Sequence, residues 1–211
     1  MIGLARHSEI SVLAVGAHPD DIELGCGGTL AKLLKRGAHI SAIVLSNGNC
    51  GVDTQADRAQ ETLAGLGAIG IEKVHIYDFA DTNMYTQFNE IVSVIERHVR
   101  EIRPDRVYTM FDKDRHQDHQ AVYDASNIAC RNVPQVLGYE TPSSHQNFHP
   151  TIFERIGDVL ALKLRAISLH TSQNNKPYMQ ADTVRAVAQF RGIQAGFMEP
   201  SEAFIPYRMA F

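Results

Sequence analysis

Short β-branched runs alternating with helix-spaced segments constrain this chain most. Glu9 to Gly16 (EISVLAVG), His39 to Leu45 (HISAIVL), Lys73 to Tyr77, Arg106 to Met110 and Val136 to Glu140 read as buried strands. Between them lie helical segments. Gly28 to Arg36 carries Leu30, Leu33 and Leu34 at helical spacing and stops at Gly37; Asp57 to Leu66 closes on Gly67. Phe88 to Ile102 sets Ile91, Val92, Ile95 and Val99 on one side ahead of Pro104, and His119 to Ala129 follows. Strands that alternate with helices demand right-handed crossovers. The predicted fold is therefore α/β, Rossmann-like, with a mostly parallel sheet and helices on both faces. The length of 211 residues suits one domain, 1–211, and no repeat, low-complexity tract or linker interrupts it. Further on, Thr141 to Pro150 reads as a loop, with helices predicted over Ile156 to Ser168 and Tyr178 to Phe190. The apolar tail Gly196 to Phe211 is expected to fold back onto the body.

In such sheets ligands bind beyond the carboxyl ends of the strands. His18 to Glu23, Ser46 to Gly51 and Phe111 to His119 each follow a predicted strand directly, so they meet around one crevice. Composition narrows the partners. A net charge of −4 without a basic stripe excludes nucleic acid as an expected partner. No apolar stretch approaches the roughly 20 residues that span a bilayer. The first nine residues carry Arg6 and His7 without an apolar core, so no signal peptide is expected. Cys26, Cys50 and Cys130 are odd in number and far apart, which disfavours both a disulfide framework and a cysteine metal site. The expected compartment is a reducing cytoplasm.

The chemistry gathers in two polar clusters. His18, Asp20 and Asp21 follow the first strand; His116, Asp118 and His119 follow the fourth. A catalytic zinc takes three ligands from histidine nitrogens and carboxylate oxygens and keeps a position for water. Two His and one carboxylate from these loops meet that count. The ion would let buried carboxylates stay ionised and would lower the pKa of bound water to about 7. The spare acid Asp20 would then take the water's proton, and a nearby protonated His would face the oxyanion or the leaving amine. Each cluster alone has a plainer reading: Asp-Asp after a strand suits a helix N-cap, and His-x-x-His suits a solvated loop. Two clusters at matching strand ends favour a metal. Gly25, Gly27 and Gly28 do not match a dinucleotide-binding GxGxxG and are expected to turn the backbone tightly beneath the site.

Ala17-His18-Pro19-Asp20-Asp21 with Glu23, paired with His116-Gln117-Asp118-His119, resembles the PIG-L/LmbE-like family of metal-dependent de-N-acetylases. The form HPDDIELGCGGTL is most similar to the branch that deacetylates a GlcNAc conjugate in bacillithiol synthesis. The likeness extends through RAQET (Arg58 to Thr62), DRHQDH, HTSQ (His170 to Gln173) and SEAF (Ser201 to Phe204). It implies an LmbE-like domain that hydrolyses the N-acetyl amide of a GlcNAc-type sugar. It assigns His18, Asp21 and His119 to the metal, Asp20 to the base, and His116 to a positively charged group facing the oxyanion and departing amine. Asp118 would orient a histidine or hold the base network. Arg58, supported by Glu61, and Asp81 and His170 would meet substrate. Zinc is the implied ion; Fe2+ or another divalent metal also suits these donors.

Three departures from the family pattern stand out. Ile22 moves the acid of HPDDE to Glu23, Gln117 replaces a frequent Pro, and Asp114 stands where some relatives carry a tyrosine near the oxyanion. His39, His75 and His98 read as surface or satisfied core groups, and His145 and His149 as loop residues near the pocket mouth. The implied partner is a small N-acetylated sugar, and a homo-oligomer stays open. The alternatives are an amidase acting on a non-sugar N-acyl metabolite, a non-catalytic domain binding sugar or nucleotide, and a non-haem iron oxygenase, against which the His-x-x-Asp order argues. The group attached to the sugar has no legible code. Asn47 to Thr54 and Ser143 to His149 are expected to choose among malate, inositol, a nucleotide diphosphate or an oligosaccharide.

Overall fold

The computed structural model describes residues 10–51 and 56–210. Arg6, His7, Glu9 and positions 52–54 of the predicted selecting loop lie outside the described residues. Among the described residues, five parallel strands carry the predicted alternation: β1 (Ser11–Gly16), β2 (His39–Val44), β3 (Lys73–Ile76), β4 (Arg106–Met110) and β5 (Gln135–Tyr139). Helices α1 (Asp21–Lys35), α2 (Arg58–Ile69), α3 (Phe88–Ile102) and α4 (Gln117–Ala129) connect or follow them. Strand β6 (Ile152–Arg155), helices α5 (Leu160–Ser168) and α6 (Ala181–Gln194), and strand β7 (Ser201–Met209) complete the chain. The sheet order is β3-β2-β1-β4-β5-β7-β6, with β7 antiparallel to both neighbours.

Val12, Leu13, Ala14 and Val15 of β1 are all fully buried, as a central strand covered on both faces requires. Helix α3 packs with α4, and α1 with α2 and α5. The strand order reverses between β1 and β4, and a crevice opens at such a reversal. The loops after β1 and β4 therefore emerge side by side.

Three sequence expectations need correction. Helix α1 starts at Asp21, so Gly25, Gly27 and Gly28 lie inside a helix rather than in a turn. Their role is close approach: a Cβ on Gly25 would meet the Tyr139 ring at 2.0 Å, and one on Gly28 would meet Ile156 at 2.9 Å. Gly25→Ala is expected to cost about 1–3 kcal/mol of stability through overpacking. A urea midpoint equal to wild type would show that α1 backs away freely. Helix α2 runs on to Ile69 and ends at Gly70, whose φ of 106° supplies the left-handed cap assigned to Gly67. Residues 156–159 are not helical; α5 begins at Leu160, and the preceding residues form β6. The tail does fold back, as a strand inserted between β5 and β6.

Candidate metal centre

The turn after β1 presents His18, Asp20 and Asp21. Asp20 occupies the N-cap position of α1 at φ 93°, yet its side chain makes no capping hydrogen bond. This left-handed backbone is costly for a residue with a Cβ, though Asp tolerates it better than most. The capping reading therefore fails for Asp20. Its carboxylate turns to Arg58 Nη2 at 3.2 Å.

Three donors converge across the crevice. His18 Nδ1 lies 3.3 Å from His119 Nε2, His119 Nε2 lies 3.4 Å from Asp21 Oδ1, and His18 Nδ1 lies 3.6 Å from Asp21 Oδ2. Donors held tetrahedrally at about 2.0–2.2 Å from one ion stand roughly 3.4 Å apart. The His18–His119 and His119–Asp21 Oδ1 edges match such a spacing, while His18 meets the other Asp21 oxygen. His18 and His119 also converge with His116.

The outer nitrogens complete the fit. His18 Nε2 meets Asp118 Oδ2 at 3.0 Å and Asp81 Oδ1 at 3.2 Å; His119 Nδ1 meets Asp114 Oδ2 at 3.1 Å and Ser143 Oγ at 3.3 Å. A carboxylate on one nitrogen holds the proton there and turns the lone pair of the other nitrogen inward. Both rings thus turn their inner nitrogen toward Asp21. Asp118, fully buried, also accepts the Thr82 N–H at 2.6 Å and the Met84 N–H at 3.1 Å. Asp114, also fully buried, accepts from Thr141 Oγ1 at 2.6 Å and from the His116 N–H at 2.8 Å.

The electrostatics follow from buried imidazoles and carboxylates packed against one another. Burial works against charge on His119, but Asp21 and Asp114 outweigh it and raise the imidazole to about 9. His18 is likewise raised against burial, by Asp118, Asp21 and Asp81. Asp21 is lowered despite burial, by His119 and His18. Burial and the neighbouring Asp21 charge push Asp20 up to about 7, against His170 and Arg58, which pull it down.

His116 caps α4, and its Nδ1 accepts the Asp118 N–H at 3.2 Å. Burial, His18 and His119 lower its pKa. With Nδ1 accepting the Asp118 N–H, Nε2 is the other ring nitrogen at the cleft. His116 borders a cleft of about 350 Å³ together with His18, Asp20, Asp21, Arg58 and Asp81.

The remaining site residues divide. Arg58 borders the cleft but spends its guanidinium inward, donating to Gly48 O and Pro19 O at 2.9 Å each besides Asp20. Glu61 does not support it; its carboxylate accepts from Thr171 Oγ1, Ser172 N and Ser172 Oγ. Asp81 is lowered to about 2, chiefly by its hydrogen bond with His18. It also accepts the Cys50 N–H at 2.8 Å. His170 does not reach the cleft. It is fully buried, 2.8 Å from Glu23 Oε1, and so meets the acid that follows the ligand turn rather than a ligand. Asp118 also stands behind His18 and does not border the cleft. Sequence reasoning missed Asp114 and Ser143 as the groups that hold His119; the one signal was Asp114's place two residues before His116. Tyr178 and Lys176 border the cleft without any motif to mark them, and Gln173, the last residue of HTSQ, borders it too. His145 and His149 are exposed and do not border it.

The sheet, the strand-order reversal and the donor cluster beyond β1 and β4 define an α/β protein with a candidate metal site at its switch point. The family described as "PIG-L: GlcNAc-PI de-N-acetylase" matches residues 13–130. The chain is 46% identical to "Uncharacterized deacetylase YaiS" of Escherichia coli K12 over 76% of this chain and 90% of that protein. It is 29% identical to diacetylchitobiose deacetylase of Thermococcus kodakarensis over 77% of this chain and 69% of that protein. The chain belongs to the PIG-L de-N-acetylase family. Its fold is shared with GalB, the 4-carboxy-2-hydroxymuconate hydratase of Pseudomonas putida KT2440, at TM-score 0.83 and 20% identity, covering 96% of this chain and 98% of that one. One architecture thus accompanies different chemistries, and the site must decide between them. Among the described residues, no helix is long and apolar enough to cross a membrane.

Proposed function

We propose that residues 1–211 form one deacetylase domain that hydrolyses the N-acetyl amide of a GlcNAc-type sugar, releasing acetate and the primary amine. The observation that carries this reading is the triangle of His18, Asp21 and His119 donors with the uncapped Asp20 beside it. His18, Asp21 and His119 would hold a divalent ion, for which zinc is the first choice. When bound, such an ion polarises a carbonyl oxygen and lowers the pKa of water to about 7.

The chain's own groups do the rest. Asp20 accepts a proton from the water whose oxygen adds to the acetyl carbon. Arg58 holds Asp20 in that direction. His116 Nε2–H donates to the carbonyl oxygen as negative charge builds there. Asp20 then gives its proton to the amine nitrogen as the C–N bond breaks. Asp118, Asp81 and Asp114 fix the ligand rings. Acetate release from N-acetylglucosamine, followed with and without a chelator, tests the reading. Turnover that stops on chelation and returns with zinc is expected; chelator-resistant turnover, or none with metal restored, would refute it.

A further inference from the structure

A second cavity lies against the metal-facing cleft, of nearly the same size: about 340 Å³ beside about 350 Å³. Leu24, Pro142 and Tyr178 border both, so the two share a wall. Each falls in the range of small-molecule sites, roughly 300–1,000 Å³. An N-acetyl group held at His18, Asp21 and His119 leaves the rest of a substrate facing one of the neighbouring surfaces, and this cavity is the one across the common wall.

Its charged groups are already satisfied. Lys163 Nζ lies 2.5 Å from Glu202 Oε1, and both residues are almost wholly buried. Glu202 also accepts the N–H of Gly28 at 2.9 Å and of Thr29 at 2.6 Å, while Lys163 donates to Leu24 O at 2.6 Å. In an undisturbed helix Leu24 O would serve the Gly28 N–H. The ion pair is thus set into the backbone of α1 and neutralised there. The cavity's other cation, Arg191, donates to both oxygens of Glu140 and, through Nη1, to Gln194 Oε1 at 2.7 Å. Neither cation is left to attract an anion. The open walls are apolar side chains of α6, Val184, Val187 and Ala188, with Tyr178 at the junction. Lys113 and Arg115 border a separate depression with His145, and Lys176 borders the first cleft.

We infer that the second cavity receives the group joined to the acetylated sugar and selects an uncharged, hydroxyl-bearing ring over an anionic group. The inference rests on the deacetylase reading above. An uncharged ring can set an apolar face on α6 and its hydroxyls toward the polar edge. A phosphate or dicarboxylate would lose its water here with no unpaired cation to compensate.

The test uses the zinc-loaded protein and three probes: N-acetylglucosamine, N-acetylglucosaminyl-β-1,4-glucose and N-acetylglucosamine 1-phosphate. Val187 is 47% exposed on α6 and borders the cavity, so Val187→Trp narrows it without disturbing the core. Wild type is expected to favour the two-ring sugar over the single ring by about tenfold or more in kcat/KM. Val187→Trp should remove that advantage and leave the single ring unchanged. An equal loss on both sugars, no change on either, or a preference for the 1-phosphate overturns the inference. If no probe releases acetate, the deacetylase reading falls instead, and the cavity is read by saturation-transfer NMR with the two-ring sugar. A signal in wild type that disappears in Val187→Trp then upholds the inference; any other pattern overturns it.

Discussion

Asp20→Asn is expected to keep its metal while kcat/KM falls by about 10²–10⁴, the range a positioned general base contributes. Asparagine is the informative replacement. It tolerates the left-handed backbone at φ 93°, where alanine would add strain, and its amide oxygen can still face Arg58. It cannot accept the proton of the attacking water. The same change should stabilise the metal-free protein. Burial and Asp21 raise the folded pKa from the usual 3.8 to about 7, so the folded state binds the proton more tightly than the unfolded chain. For a carboxyl shifted upward, the destabilisation grows as pH rises between those values and stays constant above the higher one. Metal-free Asp20→Asn should therefore melt above wild type at pH 8, with the two converging near pH 4. Activity within a few-fold of wild type would remove Asp20 from the proton transfer. A metal content that fell with activity would make it a ligand.

Much of this architecture is legible in the chain because β-branched runs and helical periodicity are local signals. Helix α3 and strand β4 have the boundaries their patterns predict. The departures arise where packing overrides local preference. Three glycines disfavour a helix at the start of α1, by about 1 kcal/mol each relative to alanine, but at Gly25 and Gly28 the Tyr139 ring and Ile156 leave no room for a side chain. Strand β7 carries Pro206, which argues against an interior strand. It is accommodated where the β5–β7 register shifts, between Val136 and Leu137, and Pro206 pairs with Leu137. Strand β6 is only four residues long and lies at the sheet edge, too short to show a period.

The site shows the same division. His18, Asp21 and His119 carry their signal in spacing at the starts of α1 and α4. The direction each side chain takes does not, which is why His170 belongs to the buried partnership with Glu23 and Asp114 to His119. Nothing in DRHQDH distinguishes an acid that holds a ligand from one that faces solvent. That distinction needs the crossing of β4 beside β1 and the return of Thr141 and Ser143 over Asp114.

His119→Ala is expected to lose the metal outright, and Asp114→Asn to weaken it by about 10–100-fold. The first removes one corner of the donor triangle and leaves Asp21 facing His18 alone. The second leaves the ring in place and replaces the carboxylate behind it. Asparagine can still accept from His119 Nδ1–H, but without the charge that makes Nε2 a stronger donor to a cation. Metal content after dialysis against graded chelator separates the two, and the metal-free protein should remain folded in both. The contrast matters because a histidine cluster that merely stabilises the fold predicts a different outcome. There, His119→Ala would lower the melting temperature without changing metal content, and Asp114→Asn would leave a buried site less satisfied but no less able to hold an ion. A graded loss, complete at the ring and partial at its carboxylate, is what a shared coordination sphere produces. It would fix the function of the β1–β4 crevice as the place where an ion is held against a water and an amide.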